Sequence, residues 1–182
     1  MKLLQLFLGI GSLLLTALSC AGSEHSVKSF DGFPLRARLD INAAASEDSV
    51  ERVVVLIHGS GPQSLDEDLS SVSAPGTTNY FFADLAAALN GRGIAVVRYD
   101  KRSYAAARMI AADRNFAASK KFKRYAADPL RYFIEDARHF TRWTARRFPR
   151  ARVFLVGHSE GANVALQVAR FFVNWISTAT RP

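Results

Sequence analysis

Three short apolar runs punctuate the chain: Val53-Val54-Val55-Leu56-Ile57, Ile94-Ala95-Val96-Val97 and Val153-Phe154-Leu155-Val156. Each is rich in β-branched or aliphatic residues and does not alternate with polar ones, the pattern of a strand buried on both faces. Helical spacing fills the gaps between them. Phe82, Leu85, Ala86 and Leu89 recur at one face of a helix, with Asn79 placed to cap its start and Asn90-Gly91 to end it with residues that tolerate positive φ. Pro129 opens a second helix with a stripe of Leu130, Phe133, Ile134, Ala137, Thr141, Thr144 and Phe148, which ends before Pro149. Phe30 to Leu35 reads as a turn that opens an early strand through Asp40, and 103–128 as an alanine-rich, basic and aromatic excursion, irregular or helical and a candidate lid. Strands alternating with helices predict an α/β fold with a mostly parallel sheet and helices on both faces.

The leader changes the length to be folded. Lys2 followed by the apolar Leu3–Leu18 and the small residues Ser19-Cys20-Ala21 forms a signal-peptide pattern over 1–19, leaving 20–182 for the domain. Ala17-Leu18-Ser19-Cys20 is similar to the lipobox at which a bacterial lipoprotein cysteine is acylated, although Ala17 stands where the motif prefers a larger aliphatic residue. Three readings stay open: lipidation at Cys20, ordinary cleavage, and an uncleaved anchor shorter than the ~20 apolar residues of a spanning helix. All three predict export to a bacterial cell envelope or periplasm, and the first adds the membrane as a partner. Cys20 is the sole cysteine, so no internal disulfide can form.

The net charge of +8 is regional. Between Arg98 and Arg152 there are 16 Lys and Arg against 5 Asp and Glu, while the remainder is net −3. A basic stretch such as Lys120-Lys121-Phe122-Lys123-Arg124 can be a solvated helix face or a docking surface for anions. Export and the strand signals favour the solvated face, so nucleic acid is not an expected partner. The Asp66-Glu67-Asp68 run, just past Gly59-Ser60-Gly61-Pro62, reads as a solvated acidic loop.

The chemistry is concentrated where the third apolar run enters Gly157-His158-Ser159-Glu160-Gly161 and a helical pattern follows. A serine on so tight a strand-to-helix turn is pushed out above the sheet, and its glycine neighbours are needed because a Cβ there would strike the adjoining strand or helix. Upstream, the first apolar run feeds His58-Gly59-Ser60-Gly61-Pro62, and the second feeds Arg98-Tyr99-Asp100-Lys101-Arg102. Together, in this order, these segments resemble the α/β-hydrolase family over about Phe30–Phe172, and most nearly its bacterial esterases and serine aminopeptidase-like enzymes.

That resemblance implies a serine hydrolase acting on a small ester or peptide-like substrate through an acyl-serine intermediate. Ser159 would be the nucleophile, with the oxyanion held by the backbone N–H groups of Glu160 and Ser60. His58, Gly59 and Gly61 would support the loop, and Gly157, His158 and Gly161 the elbow. Asp100 is expected to be a structural partner for Arg102 or a loop amide. The family order places an acid and a histidine after the serine, yet after Ser159 only Glu160 is a carboxylate and none is a histidine. The chain is therefore expected to be C-terminally truncated, with the nucleophile strand left as a sheet edge and Phe171, Phe172, Trp175 and Ile176 partly exposed. The alternative to a working hydrolase is a catalytically inactive fragment or an envelope-bound binding module. His58 and His158 lack companions at ligand spacing, so neither a metal nor another cofactor is expected.

Overall fold

The computed structural model describes residues 20–179, with side-chain burial over 22–172. The leader 1–19 lies outside the described residues, as do the side chains of Cys20, Trp175 and Ile176. Five strands, β1 (Cys20–Lys28), β2 (Pro34–Asn42), β3 (Arg52–Ile57), β4 (Ala95–Tyr99) and β5 (Arg152–Gly157), form one sheet in the order β1-β2-β4-β3-β5. β4, β3 and β5 run parallel, whereas β1 and β2 form an antiparallel hairpin joined antiparallel to β4.

The three apolar runs are the parallel strands. Every residue of β4 and all of β3 after Arg52 are buried, as expected of strands covered on both faces. The side-chain period of two divides them. Val54, Leu56 and Val96 face Phe82 and Ala86 of α1 (Phe81–Asn90). Val53, Val55, Val97 and Tyr99 face Phe140 of α4 (Pro129–Arg147) and Phe148 beyond it. On that same face α5 (Glu160–Ala179) packs Val164 and Val168 against Ile57 and Ala137.

Among the described residues β5 is a sheet edge, and its burial follows from what covers it. The register sets Phe154 beside Val54 and Val156 beside Leu56. α1 lies over β4 and β2, so these two β5 side chains stay 39% and 38% exposed. Phe171 on α5 is exposed and Phe172 half-buried.

Several local expectations change. The segment after the leader, which has no strand pattern of its own in the sequence, is a strand, because β1 finds its pairing partners along the whole of β2. Asn79 does not cap α1. Its amide donates to Ser73 Oγ, and the first helical N–H groups, of Phe81 and Phe82, are taken by the carbonyls of Glu67 and Asp66. Positive φ after that helix falls on Gly93 (φ 70°), while Gly91 is helical at −59°. The 103–128 excursion is helical: α2 (Arg102–Ala112), a 3-10 turn, and α3 (Lys120–Ala127), which Ser119 caps through Phe122 N–H. α2 packs on β2 and α4, and α3 on α4. On α4 the buried stripe runs through Asp136, Ala137, Phe140, Thr141 and Thr144, leaving Leu130 in the first turn exposed.

Candidate active site

The turn after β5 is as tight as its glycines require. Ser159 has φ 51°, a left-handed conformation rare for a side chain with a Cβ, and it is exposed. A Cβ on Gly157 would lie 2.2 Å from the Gly161 carbonyl oxygen, and one on Gly161 2.2 Å from the Ile57 oxygen and 2.6 Å from that of His58. The elbow is thus pressed onto the end of β3 and the first residue of the His58-to-Pro62 loop. His158 N–H donates to the Ile57 carbonyl at 3.0 Å, continuing the ladder into the turn.

The loop is held from both sides of one residue. Gly59 N–H donates to Glu67 Oε1 at 2.9 Å, and the Gly59 carbonyl accepts from Lys101 Nζ at 2.6 Å. The same Glu67 oxygen lies 3.0 Å from His158 Nδ1, so a single carboxylate ties loop to elbow. Lys101 Nζ also donates to Glu160 Oε1 at 2.7 Å. Ser103 Oγ donates to the Gly61 carbonyl and Gln63 Nε2 to that of Ser60. No hydrogen bond among the described residues uses the N–H of Ser60 or of Glu160, so both are available to an acceptor from outside.

Glu67 overturns the reading of its acidic run as solvated. It is fully buried with φ 49°, and Asp66 pairs with Arg98, leaving Asp68 on the surface. No local pattern marks Glu67, since its partners stand 8 and 91 residues away. Asp100 accepts from the Leu65 amide and pairs with Arg36, as a structural residue; Arg102 turns instead to Asp31 and Asp136.

All four histidines are placed. His158 turns to Glu67 and packs against Phe81 with ring centroids 5.1 Å apart. His58 is buried, stacks on Phe82 and donates through Nε2 to the Tyr99 carbonyl. Burial pushes its imidazole down to about 3, so it is neutral at physiological pH. His25 on β1 packs against Trp143, and His139 on α4 lies edge-on to Phe140, with burial and then the Arg146 charge lowering its proton affinity. None of them is hydrogen-bonded to Ser159. Beneath the loop is a cavity of about 10 Å³, lined by His58, Tyr99, Lys101, Arg102, Phe133, Asp136 and Glu160 among others, room for one water at most.

The chain is similar in sequence and in fold to known proteins. Residues 76–172 match the family described as serine aminopeptidase, S33. The chain is 31% identical over 116 residues to esterase EstD of Thermotoga maritima, an alignment covering 64% of this chain and 23% of that protein. Among solved structures it is similar to brefeldin A esterase, a bacterial homologue of human hormone sensitive lipase, with TM-score 0.55 and 17% identity over 90% of this chain and 38% of that one. An α/β serine hydrolase without a lid from Xanthomonas campestris gives TM-score 0.51 and 21% identity over 82% of this chain and 56% of that one. The chain therefore spans about a quarter of its sequence relative and roughly two fifths to just over half of these structures. With β4, β5 and the elbow inside the residues that the family matches, the chain belongs to the serine aminopeptidase S33 family and has an α/β-hydrolase fold.

Proposed function

We propose that this chain carries the nucleophile and oxyanion half of a serine hydrolase that cleaves ester or peptide-like bonds. The observation that carries the reading is Ser159 at φ 51° between Gly157 and Gly161, exposed on a strand-to-helix elbow. In the reaction, Ser159 Oγ attacks the substrate carbonyl carbon and loses its proton to a general base. The carbonyl oxygen becomes an anion, and the N–H groups of Ser60 and Glu160 donate to it. Removal of one such donor costs ~10²- to 10³-fold in rate, so the loop is a major part of the chemistry. Collapse of the tetrahedral species expels the alcohol or amine and leaves an acyl-Ser159 ester for water to cleave.

The four histidines are all held elsewhere, so the reading takes its base and acid from a polypeptide segment outside the described residues. That same observation favours the second reading, a catalytically silent binding module. Export by the 1–19 leader to the bacterial envelope, with Cys20 as the lipidated residue, belongs to both readings. Mass spectrometry of the mature N-terminus decides it: a diacylglyceryl adduct on Cys20 supports the anchor, and an unmodified terminus refutes it.

A fluorophosphonate probe tests the nucleophile. Labelling at Ser159 that is abolished in Ser159→Ala is the expected result; a folded chain that resists the probe refutes a working nucleophile in this chain and leaves the binding module.

A further inference from the structure

We infer that Lys101 is a positioning residue that aligns and polarises the oxyanion donors, an assignment that rests on the reading of Ser60 and Glu160 as those donors. Lys101 follows β4 and is 5% exposed. Its ammonium occupies three partners: the Gly59 carbonyl at 2.6 Å, Glu160 Oε1 at 2.7 Å, and the face of the Phe133 ring, 4.3 Å from the centroid.

The peptide it grips is the one that matters. The Gly59 carbonyl and the Ser60 N–H belong to a single peptide unit, and the chain has no cis peptide bonds. In a trans peptide these two groups point in opposite directions. A cation fixed on the carbonyl oxygen therefore turns the Ser60 N–H to the other side and draws electron density from it, making it a stronger donor. Hydrogen bonds in series strengthen one another in this way. On the other side of Gly59, Glu67 holds the preceding N–H, so the two peptide planes flanking Gly59 are both set by buried charges.

The second contact completes the argument. The Glu160 backbone N–H is the other donor, but its own carboxylate stands at the start of α5, where it favours the helix and would oppose a developing oxyanion. Lys101 neutralises that carboxylate in place. One side chain thus orients the first donor and removes the electrostatic penalty attached to the second. A purely structural tie between loop and helix would not need a buried ammonium, whose desolvation is costly.

The test uses the full chain, Lys101→Met and Lys101→Arg. Two readouts are taken: the NMR shifts of the Gly59 carbonyl carbon and Ser60 amide, with the through-hydrogen-bond coupling from Lys101 Nζ to that carbonyl, and the second-order rate at which Ser159 displaces fluoride from a fluorophosphonate. The expected result is a coupling in the unaltered chain, an upfield move of both resonances in Lys101→Met, and labelling slower by about tenfold, less than for loss of a whole donor, with Lys101→Arg recovering part of each. Absence of the coupling, or shifts and labelling unchanged in a folded Lys101→Met, overturns the assignment. Because the coupling is read in the unaltered chain, it decides even if Lys101→Met does not fold. If the unaltered chain does not label, the nucleophile reading falls, while the coupling and the Ser60 shift still decide whether Lys101 polarises that peptide.

Discussion

Replacing Arg102 by methionine removes a fully buried guanidinium at the start of α2. Its Nε and Nη2 reach the two Asp136 oxygens at 2.8 and 2.6 Å, and Nη1 and Nη2 reach Asp31 at 3.0 Å each. Phe33 and Tyr132 flank it at 4.5 and 4.9 Å. Methionine keeps much of the apolar contact but leaves Asp136, 1% exposed, with Ser29 as its remaining hydrogen-bond partner. Removing one member of a buried pair costs about 3–5 kcal/mol, a large share of the 5–15 kcal/mol that holds a domain together. The deficit depends on pH. Burial raises the Asp136 pKa, opposed by Arg102; without that opposition the carboxyl takes up a proton in the folded state well above its unfolded range. Between those two pKa values the folded form binds more protons, so stability falls as pH rises, by up to about 1.4 kcal/mol per unit. Asp31 adds a loss that is constant above its own range, because burial of that carboxyl is outweighed by Arg102 and the Phe33 amide, which hold its pKa low. Urea unfolding at pH 5 and pH 8 measures both effects. The variant is expected to fall short of the parent by about 3 kcal/mol or more at pH 8 and by clearly less at pH 5, with Asp136→Leu added in the same chain restoring much of the difference. A deficit under about 1 kcal/mol at pH 8, or one equal at both values, refutes the reasoning.

Three further outcomes are expected. Gly161→Ala must separate the elbow from the Ile57 and His58 carbonyls by about 1 Å, which costs roughly 1–3 kcal/mol in urea unfolding, and it slows probe labelling at Ser159 by about 10²-fold if the donors move with the loop; a variant with unaltered labelling contradicts the close approach. His58 has a folded pKa of about 3 against 6.5 when free, so its neutral form supports the fold above pH 6.5 and that support is lost as pH falls towards 3. His58→Asn, which keeps a donor for the Tyr99 carbonyl, should flatten stability between pH 4 and 7 relative to the parent, and an unchanged slope would sink this account. Ser159→Gly should be more stable than Ser159→Ala by roughly 1 kcal/mol, since glycine occupies left-handed φ without strain; equal melting curves would argue against a strained elbow.

What could be read in the sequence was what depends on neighbours along the chain. The runs at Val53 and Ile94 announce strands because a buried parallel strand has no polar side to show; the run at Val153 has the same apolar character, although β5 is an edge among the described residues and keeps Phe154 and Val156 exposed. Gly157 and Gly161 announce the elbow because each lies against backbone, where no side chain fits. Long-range dependence hid the rest. Ser23 to Ser26 looks like a polar tail and becomes strand through pairing with β2. Glu67 sits in an acidic run and is buried because Gly59 and His158 converge on it. Arg102 lies two residues from Asp100, and pairs with Asp31 and Asp136, 71 and 34 residues away.

The link between Glu67 and His158 also bears on the order of folding. β3 and β5 pair in register from Arg52↔Arg152 to Ile57↔Gly157, closing a loop of about a hundred residues, and pairings so distant in sequence form late because their closure entropy must be met first. During synthesis the His58-to-Pro62 loop leaves the ribosome long before His158 arrives to share its carboxylate. The Glu67–His158 tie is therefore one that the emerging chain makes only when the elbow docks, whereas the contacts of Lys101 and Glu67 with Gly59 need no residue of the elbow.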